Sequence, residues 1–282
     1  MQRGKRMGWL VLFVILSLVG LSGIVVYVNQ LRFERRVASE IRALVSAPPR
    51  ATLWPGFSGL PPPVERYRQL AVGNRAPVRT LRIRHGGTFR MSSTTKAFPI
   101  RGTQIFTADP PGFLWIGHIR LAPGVWIDAR DMTLRGKGSM RVMLDDTVLI
   151  IDAHGAQIDQ GSALRLLAEM PWYPTSLFDT RSVTWSAIDA NNARATLRIG
   201  DLEVSAVFEF GPDGLPLQVT AKRFKDKGEL QPWGGLYRDW RTVSGMRVPF
   251  EAEVFWQLES GPFTYAHWRL DSMEYDEKLA LE

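Results

Sequence analysis

The sequence predicts a mainly β protein: an N-terminal apolar helix, then an antiparallel curved sheet or half-barrel of about ten to twelve strands with an inserted helix covering its concave face. Three observations predict it. Residues 8–28 carry no charge. From about Val78 onward apolar residues recur at every second position between Gly/Pro turn signals, which is the period of strands with one buried face. A single helical pattern, residues 159–170, interrupts those strands.

Composition limits the classes of protein this can be. With 45% hydrophobic residues, 10 Trp and 14 Phe in 282 residues, the chain has apolar area for a sizeable core, and disorder is excluded. The absence of Cys excludes disulfides, thiolate metal sites, a cysteine nucleophile and a lipid-modified cysteine anchor. The net charge of +7 is not a nucleic-acid signal once it is located. Residues 1–50 hold 8 Lys/Arg against 2 Asp/Glu, and residues 51–282 hold 27 against 26. The basic excess therefore flanks the apolar segment, where anionic lipid headgroups attract it. No nucleic-acid partner is expected.

Five segments follow in order. Residues 1–7 are a short basic tail. Residues 8–28 (GWLVLFVILSLVGLSGIVVYV) are long enough to cross a bilayer as one helix, with Trp9 and Tyr27 at the two headgroup levels. A cleaved signal peptide fits less well, because the apolar run is too long and no small-residue cleavage site follows it. The expected location is thus a single-pass membrane protein with an extracytoplasmic domain. The flanking charges, Arg3, Lys5 and Arg6 against Arg32, Arg35, Arg36 and Arg42, are too balanced to fix the orientation. In residues 29–46, Leu31, Phe33, Val37, Ile41 and Leu44 recur with helical spacing and predict a juxtamembrane amphipathic helix. Residues 47–62 form a Pro/Gly-rich linker, and residues 63–282 form the β-rich domain, entered through a short helix from Pro63 to Leu70.

Within that domain the alternation is clean. Leu81 and Ile83 oppose Arg82 and Arg84; Phe113, Trp115 and Ile119 oppose His118 and Arg120; Ala193 to Ile199 and Leu202 to Phe210 alternate on either side of the hairpin signal Gly200-Asp201. Short turns between the runs imply a meander rather than β-α-β crossovers. Asp159 and Ser162 are the N-cap candidates of the inserted helix, and Pro171 ends it.

No P-loop, G-x-G-x-x-G, H-E-x-x-H or G-x-S-x-G spacing occurs, so no cofactor, metal or catalytic residue is assigned. The four His are far apart in the sequence, and the Asp clusters around 128–131, 145–159 and 271–277 fall mostly at turns. The segment 222–227 (KRFKDK) reads as a solvated hairpin end. Aromatic residues are the stronger signal. Trp115, Trp126, Trp172, Tyr173, Trp233, Phe255 and Trp256 are the candidate ligand-binding residues, because Trp and Tyr carry a polar atom that favours the wall of a cleft over a dry core. Trp172 and Trp256 are expected to serve ligand uptake more than stability.

The ordered blocks LPPPVERY (60–67), QIFTADPPGFLWIGHIRLAPG (104–124), LLAEMPWYPTSL (166–177), VTWSAID (183–189), FGPDGL (210–215) and MRVPFEAEVFWQLESGPFTY (246–265) resemble a bacterial family of unknown function whose members often carry an N-terminal anchor. The resemblance spans about residues 57–276 and implies no reaction. A weaker, fold-level similarity points to the half-barrels of lipoprotein-localisation carriers, which enclose acyl chains under a helical lid. That likeness implies a lipid or lipoprotein ligand, although the anchor argues for a tethered binder over a free shuttle. The expected function is a membrane-anchored module that binds an apolar or amphipathic ligand, with acyl chains the leading class. Two alternatives stay open: an enzyme acting through His118 with Asp128 or Asp131, and an envelope interaction or sensor scaffold.

Overall fold

The computed structural model describes residues 2–46, 59–73, 75–225 and 228–276. Most of the predicted linker, residues 47–58, lies outside them. Helix α1 (Gln2–Val45) is continuous, so the apolar segment and the amphipathic one form a single 44-residue rod. Helix α2 (Pro62–Ala71) follows, with proline in its first turn where no N–H donor is needed.

The strands form one antiparallel 13-stranded sheet. Strands β1 (Thr80–Phe89), β2 (Phe98–Ala108), β3 (Pro111–Ala122), β4 (Val125–Leu134), β5 (Lys137–Leu144) and β6 (Val148–His154) meander outward to one edge. Helix α3 (Ala156–Glu169) and two 3-10 turns, Met170–Trp172 and Pro174–Phe178, then carry the chain to the opposite edge. From there β7 (Val183–Ala187), β8 (Asn192–Ile199), β9 (Leu202–Phe210), β10 (Pro216–Lys225), β11 (Glu229–Val243), β12 (Met246–Leu258) and β13 (Gly261–Tyr275) meander back until β13 pairs with β1. This path requires curvature. Laid flat, 13 strands at ~4.8 Å spacing would put the edges ~58 Å apart, more than a 14-residue helix of ~21 Å and its short flanks readily span. The sheet curls, and α3 crosses its concave face.

The strand count exceeds the expected ten to twelve because the two edge strands lack a strand signature. β6 opens with four consecutive aliphatic residues, exposed on both faces, and β7 has only five residues. The helix also starts three residues earlier than expected, after Gly155, with no side-chain cap. Asp159 and Ser162 are engaged instead across the core. Asp159 accepts from the Gly138 amide at 2.7 Å, and Ser162 Oγ donates to Asp131 at 3.4 Å.

A further departure concerns the outer face, which alternation predicts to be wet. At β2–β4 it carries Ile105, Leu114, Ile116, Met132 and Leu134, and the C-terminal half of α1 covers them with Phe33, Val37, Ile41 and Leu44. Arg130 clamps the contact, donating to both carboxylate oxygens of Glu40 at 2.8 and 2.5 Å. A paired, nearly buried Arg of this kind fixes geometry more than it adds stability. The upper part of α1 is thus part of the domain, and a chain cut at residue 47 would bare this apolar face.

Because every strand pair is antiparallel, alternate connections share an end. The β1–β2, β3–β4, β5–β6, β8–β9, β10–β11 and β12–β13 connections make a lower rim, and the others an upper one. Helix α1 runs from lower to upper. Asn29 Nδ2 meets Thr147 Oγ1 of the β5–β6 turn at 3.5 Å, whereas Leu44 packs at Gly112, where β3 begins. Its earlier residues therefore project below the lower rim, and the described side chains from Met7 to Val25 are exposed there.

Candidate functional site

Under α3 the concave face is packed. Arg165 reaches down from the helix to Asp131 on β4 at 2.7 Å, to Gln104 on β2 at 3.1 Å and sideways to Glu169 at 2.9 Å. Its guanidinium also lies 4.9 Å from the ring centroids of Phe113 and Trp115. Burial pushes the Glu169 carboxyl up, against the pull of the Arg165 cation. Beside this group Trp115 donates its indole N–H to His85 Nε2 at 2.8 Å, which holds the imidazole neutral; burial lowers the His85 pKa to about 4. Two glycines make the arrangement possible. A Cβ on Gly117 would sit 2.2 Å from the Trp115 ring, and one on Gly102 2.4 Å from His85 Nε2. Trp172 and Tyr173 extend the same core, both within 6.1 Å of the Phe106 ring, and the Trp172 indole N–H has no hydrogen-bond partner among the described residues. Tyr237 and Tyr275 anchor the segment by donating to Ala168 and Trp172 carbonyls, each at 2.6 Å.

The lower mouth of the concave face is built differently. Trp233 on β11 pairs in register with Trp256 on β12, which pairs with Phe263 on β13, so the three share a face. Tyr265 joins them. Its hydroxyl accepts from Trp233 Nε1 at 3.0 Å, and its ring stacks on Trp256 with centroids 6.3 Å apart and meets Phe89 edge to face at 6.0 Å. Two cations from β10 lie on these rings: Arg223 5.1 Å from Trp233 and Lys225 5.9 Å from Trp256. Arg223 Nε is enclosed and has no acceptor among the described residues. Trp256, Phe263 and Tyr265 are only half-buried. Next to them, between the β1–β2 connection and the β12–β13 hairpin, opens a pocket of about 460 Å³ lined by Arg90, Ser93, Leu258, Phe263, Tyr265 and His267 among others.

The expected aromatic site is therefore divided. Trp233 and Trp256 meet at the mouth; Trp115, Trp172 and Tyr173 lie in the packed core; Phe255 covers Gly234 from the opposite face of the sheet; and Trp126 sits on the outer face near His118. Arg223, Lys225, Phe263 and Tyr265 did not stand out in the sequence. The signal was present in RFK (223–225), two cations around an aromatic in a strand that hairpins onto Trp233.

On the outer face His118 Nδ1 lies 2.8 Å from Asp128 Oδ1, while Asp131 points inward to Arg165 and takes no part. Asp146, in the positive-φ turn Asp145-Asp146, is buried beside Asp128 with one oxygen unpartnered. Burial, then the Asp128 charge, raises it to about 6. Its folded pKa exceeds the unfolded value of 3.8, so the associated stability is fully present only below that and is lost as pH rises to about 6. Asp146→Asn is expected to stabilise the fold at pH 8, by on the order of 1–3 kcal/mol and with a higher melting temperature, and to have a much smaller effect at pH 4. Thermal melts at both pH values check this. Among the described residues no group of three or more His, Asp or Glu is placed to hold a metal ion.

A curled antiparallel half-barrel with a helix across it and an N-terminal apolar rod defines the class of protein. The chain belongs to a family of unknown function, DUF6544, whose model matches residues 53–268. No curated protein matches. Among solved structures, the chain is similar to a DUF1329 family protein from Desulfovibrio piger, with a TM-score of 0.44 and 12% identity over 77% of this chain and 92% of that one. It is likewise similar to a LolA superfamily protein from Nitrosomonas europaea, with a TM-score of 0.41 and 13% identity over 77% of this chain and 93% of that one. Likeness at this level carries no function across.

Proposed function

We propose that this protein is a single-pass, membrane-tethered binder of an amphipathic lipid with an acyl chain, and that the binding site is the lower mouth of the half-barrel. The supporting observation is the aromatic wall of Trp233, Trp256, Phe263 and Tyr265 carrying Arg223, whose enclosed Nε has no acceptor among the described residues, beside an open pocket. Aromatic faces suit an acyl chain, and the two cations suit an anionic headgroup. The tail does not lie beneath α3 in this reading, because Arg165 and the aromatic core fill that space. Residues 8–28 span the bilayer once, and residues 29–46 rise along the outer face of an extracytoplasmic domain; a reporter fused to the C-terminus reads that orientation.

The experiment is native mass spectrometry of the full chain released from detergent micelles. One lipid-mass adduct per chain should survive collision energies that strip detergent, and Arg223→Gln should lose it. Complete stripping from the folded wild type, or equal retention by the variant, contradicts the reading.

The second reading, an enzyme, has one observation in its favour: the His118–Asp128 pair with Asp146 beside it. His118 is exposed, and the pair lies on the face away from the mouth. Hydrolysis of a lipid ester that is lost in His118→Ala and kept in Arg223→Gln would favour this alternative.

A further inference from the structure

The lower rim has a property that ligand binding does not use. Each of several hairpin tips there presents a large aliphatic side chain to the outside: Met91 after β1, Leu121 after β3, Val148 and Leu149 opening β6, and Leu230 after the β10–β11 turn, between 36 and 57% exposed. One tip is fixed against the rod, since Thr147 meets Asn29, the first residue beyond the apolar run 8–28. An element touching the end of a bilayer-spanning segment stands at headgroup depth, where aliphatic side chains gain by inserting and an edge strand would otherwise be open to unwanted pairing.

We infer that the lower rim beds into the leaflet from which α1 emerges, with Met91, Leu121, Val148, Leu149 and Leu230 inserted among the headgroups, so that the mouth and its pocket open directly onto lipid. This rests on the reading of residues 8–28 as a membrane span. The contact of the tips is apolar rather than electrostatic, because basic Arg90, Lys96 and Arg120 stand among acidic Asp145, Asp201, Glu229 and Glu259, while Arg223 and Lys225 lie on the aromatic rings of the mouth. The partner is therefore a bilayer irrespective of its charge, and an amphipathic ligand enters sideways from the leaflet without crossing water.

The test uses the absence of Cys. Single cysteines replacing Met91, Leu121, Leu149 or Leu230 are labelled with a polarity-sensitive fluorophore in the full chain. Leu16→Cys reports on the span, and Ile188→Cys and Leu217→Cys report on the upper rim. Each chain is held in phosphatidylcholine nanodiscs with and without a lipid carrying a nitroxide quencher near the headgroup. The four rim labels should lose most of their fluorescence to the quencher, the two upper labels none, and high salt or added phosphatidylglycerol should leave the pattern unchanged. Rim labels that stay bright while the Leu16 position is buried in lipid overturn the inference and leave the anchor standing. A Leu16 label that never enters lipid overturns both. Quenching that disappears in high salt replaces the apolar contact with an electrostatic one and also overturns it.

Discussion

Arg165→Met is expected to lower the melting temperature of the full chain by roughly 10 °C, because it removes one partner from a buried ionic group and strands two carboxylates, a loss of about 3–5 kcal/mol in a domain of this size. Asp131 and Glu169 would face each other across the gap, beneath the aromatic rings of Phe113 and Trp115. The loss should be larger at pH 8 than at pH 5, since burial already pushes the Glu169 carboxyl up and, without the Arg165 cation to oppose this, it can take up a proton at the lower pH and shed its charge. A triple variant, Arg165→Met with Asp131→Asn and Glu169→Gln, should recover much of the stability, as apolar and neutral replacements of buried ion pairs often do. Circular-dichroism melts at the two pH values check each step. If the single variant melts like the wild type, α3 is not held to the sheet by this group.

Trp172→Ala and Trp256→Ala are expected to separate two roles that look alike in the sequence. Trp172 is 5% exposed and packs at the centre of the core with Phe106 and Tyr173. Removing it leaves a cavity and should cost about 3–5 kcal/mol, with any loss of lipid following from loss of the fold. Trp256 is half-buried at the mouth, stacked on Tyr265 with Lys225 above it. Its removal should cost only about 1 kcal/mol and abolish the retained lipid adduct. Melting temperature and adduct occupancy, measured on the same preparations, give the comparison. Equal stability losses with unchanged occupancy would make both residues ordinary packing.

Much of the fold was legible because half of it obeys one rule. Every second residue is buried in β8 from Ala193 to Ile199 and in β9 from Val204 to Phe210, and Gly200 between them adopts the positive φ that the hairpin needs. Legibility failed where a residue served a distant partner. In β2–β4 both faces carry apolar residues because α1, some seventy residues earlier in the sequence, covers the outer one, so alternation alone reads that face wrongly. Asp159 and Ser162 look like helix caps, since Asp and Ser near a helix start commonly are, yet the Gly138 amide and Asp131 claim them. The site was half legible for the same reason. Composition marked aromatic richness, but only register separates Trp233 and Trp256, which share a mouth, from Trp172, buried in the core, and Phe255, on the other face. The cations that complete the mouth sit in a segment whose charge alone suggests solvent.

The central claim, that this mouth holds a lipid's acyl chain, is tested most directly by photolabelling the full chain in nanodiscs with a diazirine-bearing fatty acid and mapping the modified peptides. The account predicts modification within residues 229–243, 246–258 and 261–275 in addition to the apolar helix, suppressed by excess unlabelled fatty acid and absent from those strands in Arg223→Gln. Modification confined to residues 8–28, or spread without saturation over the whole surface, would contradict it.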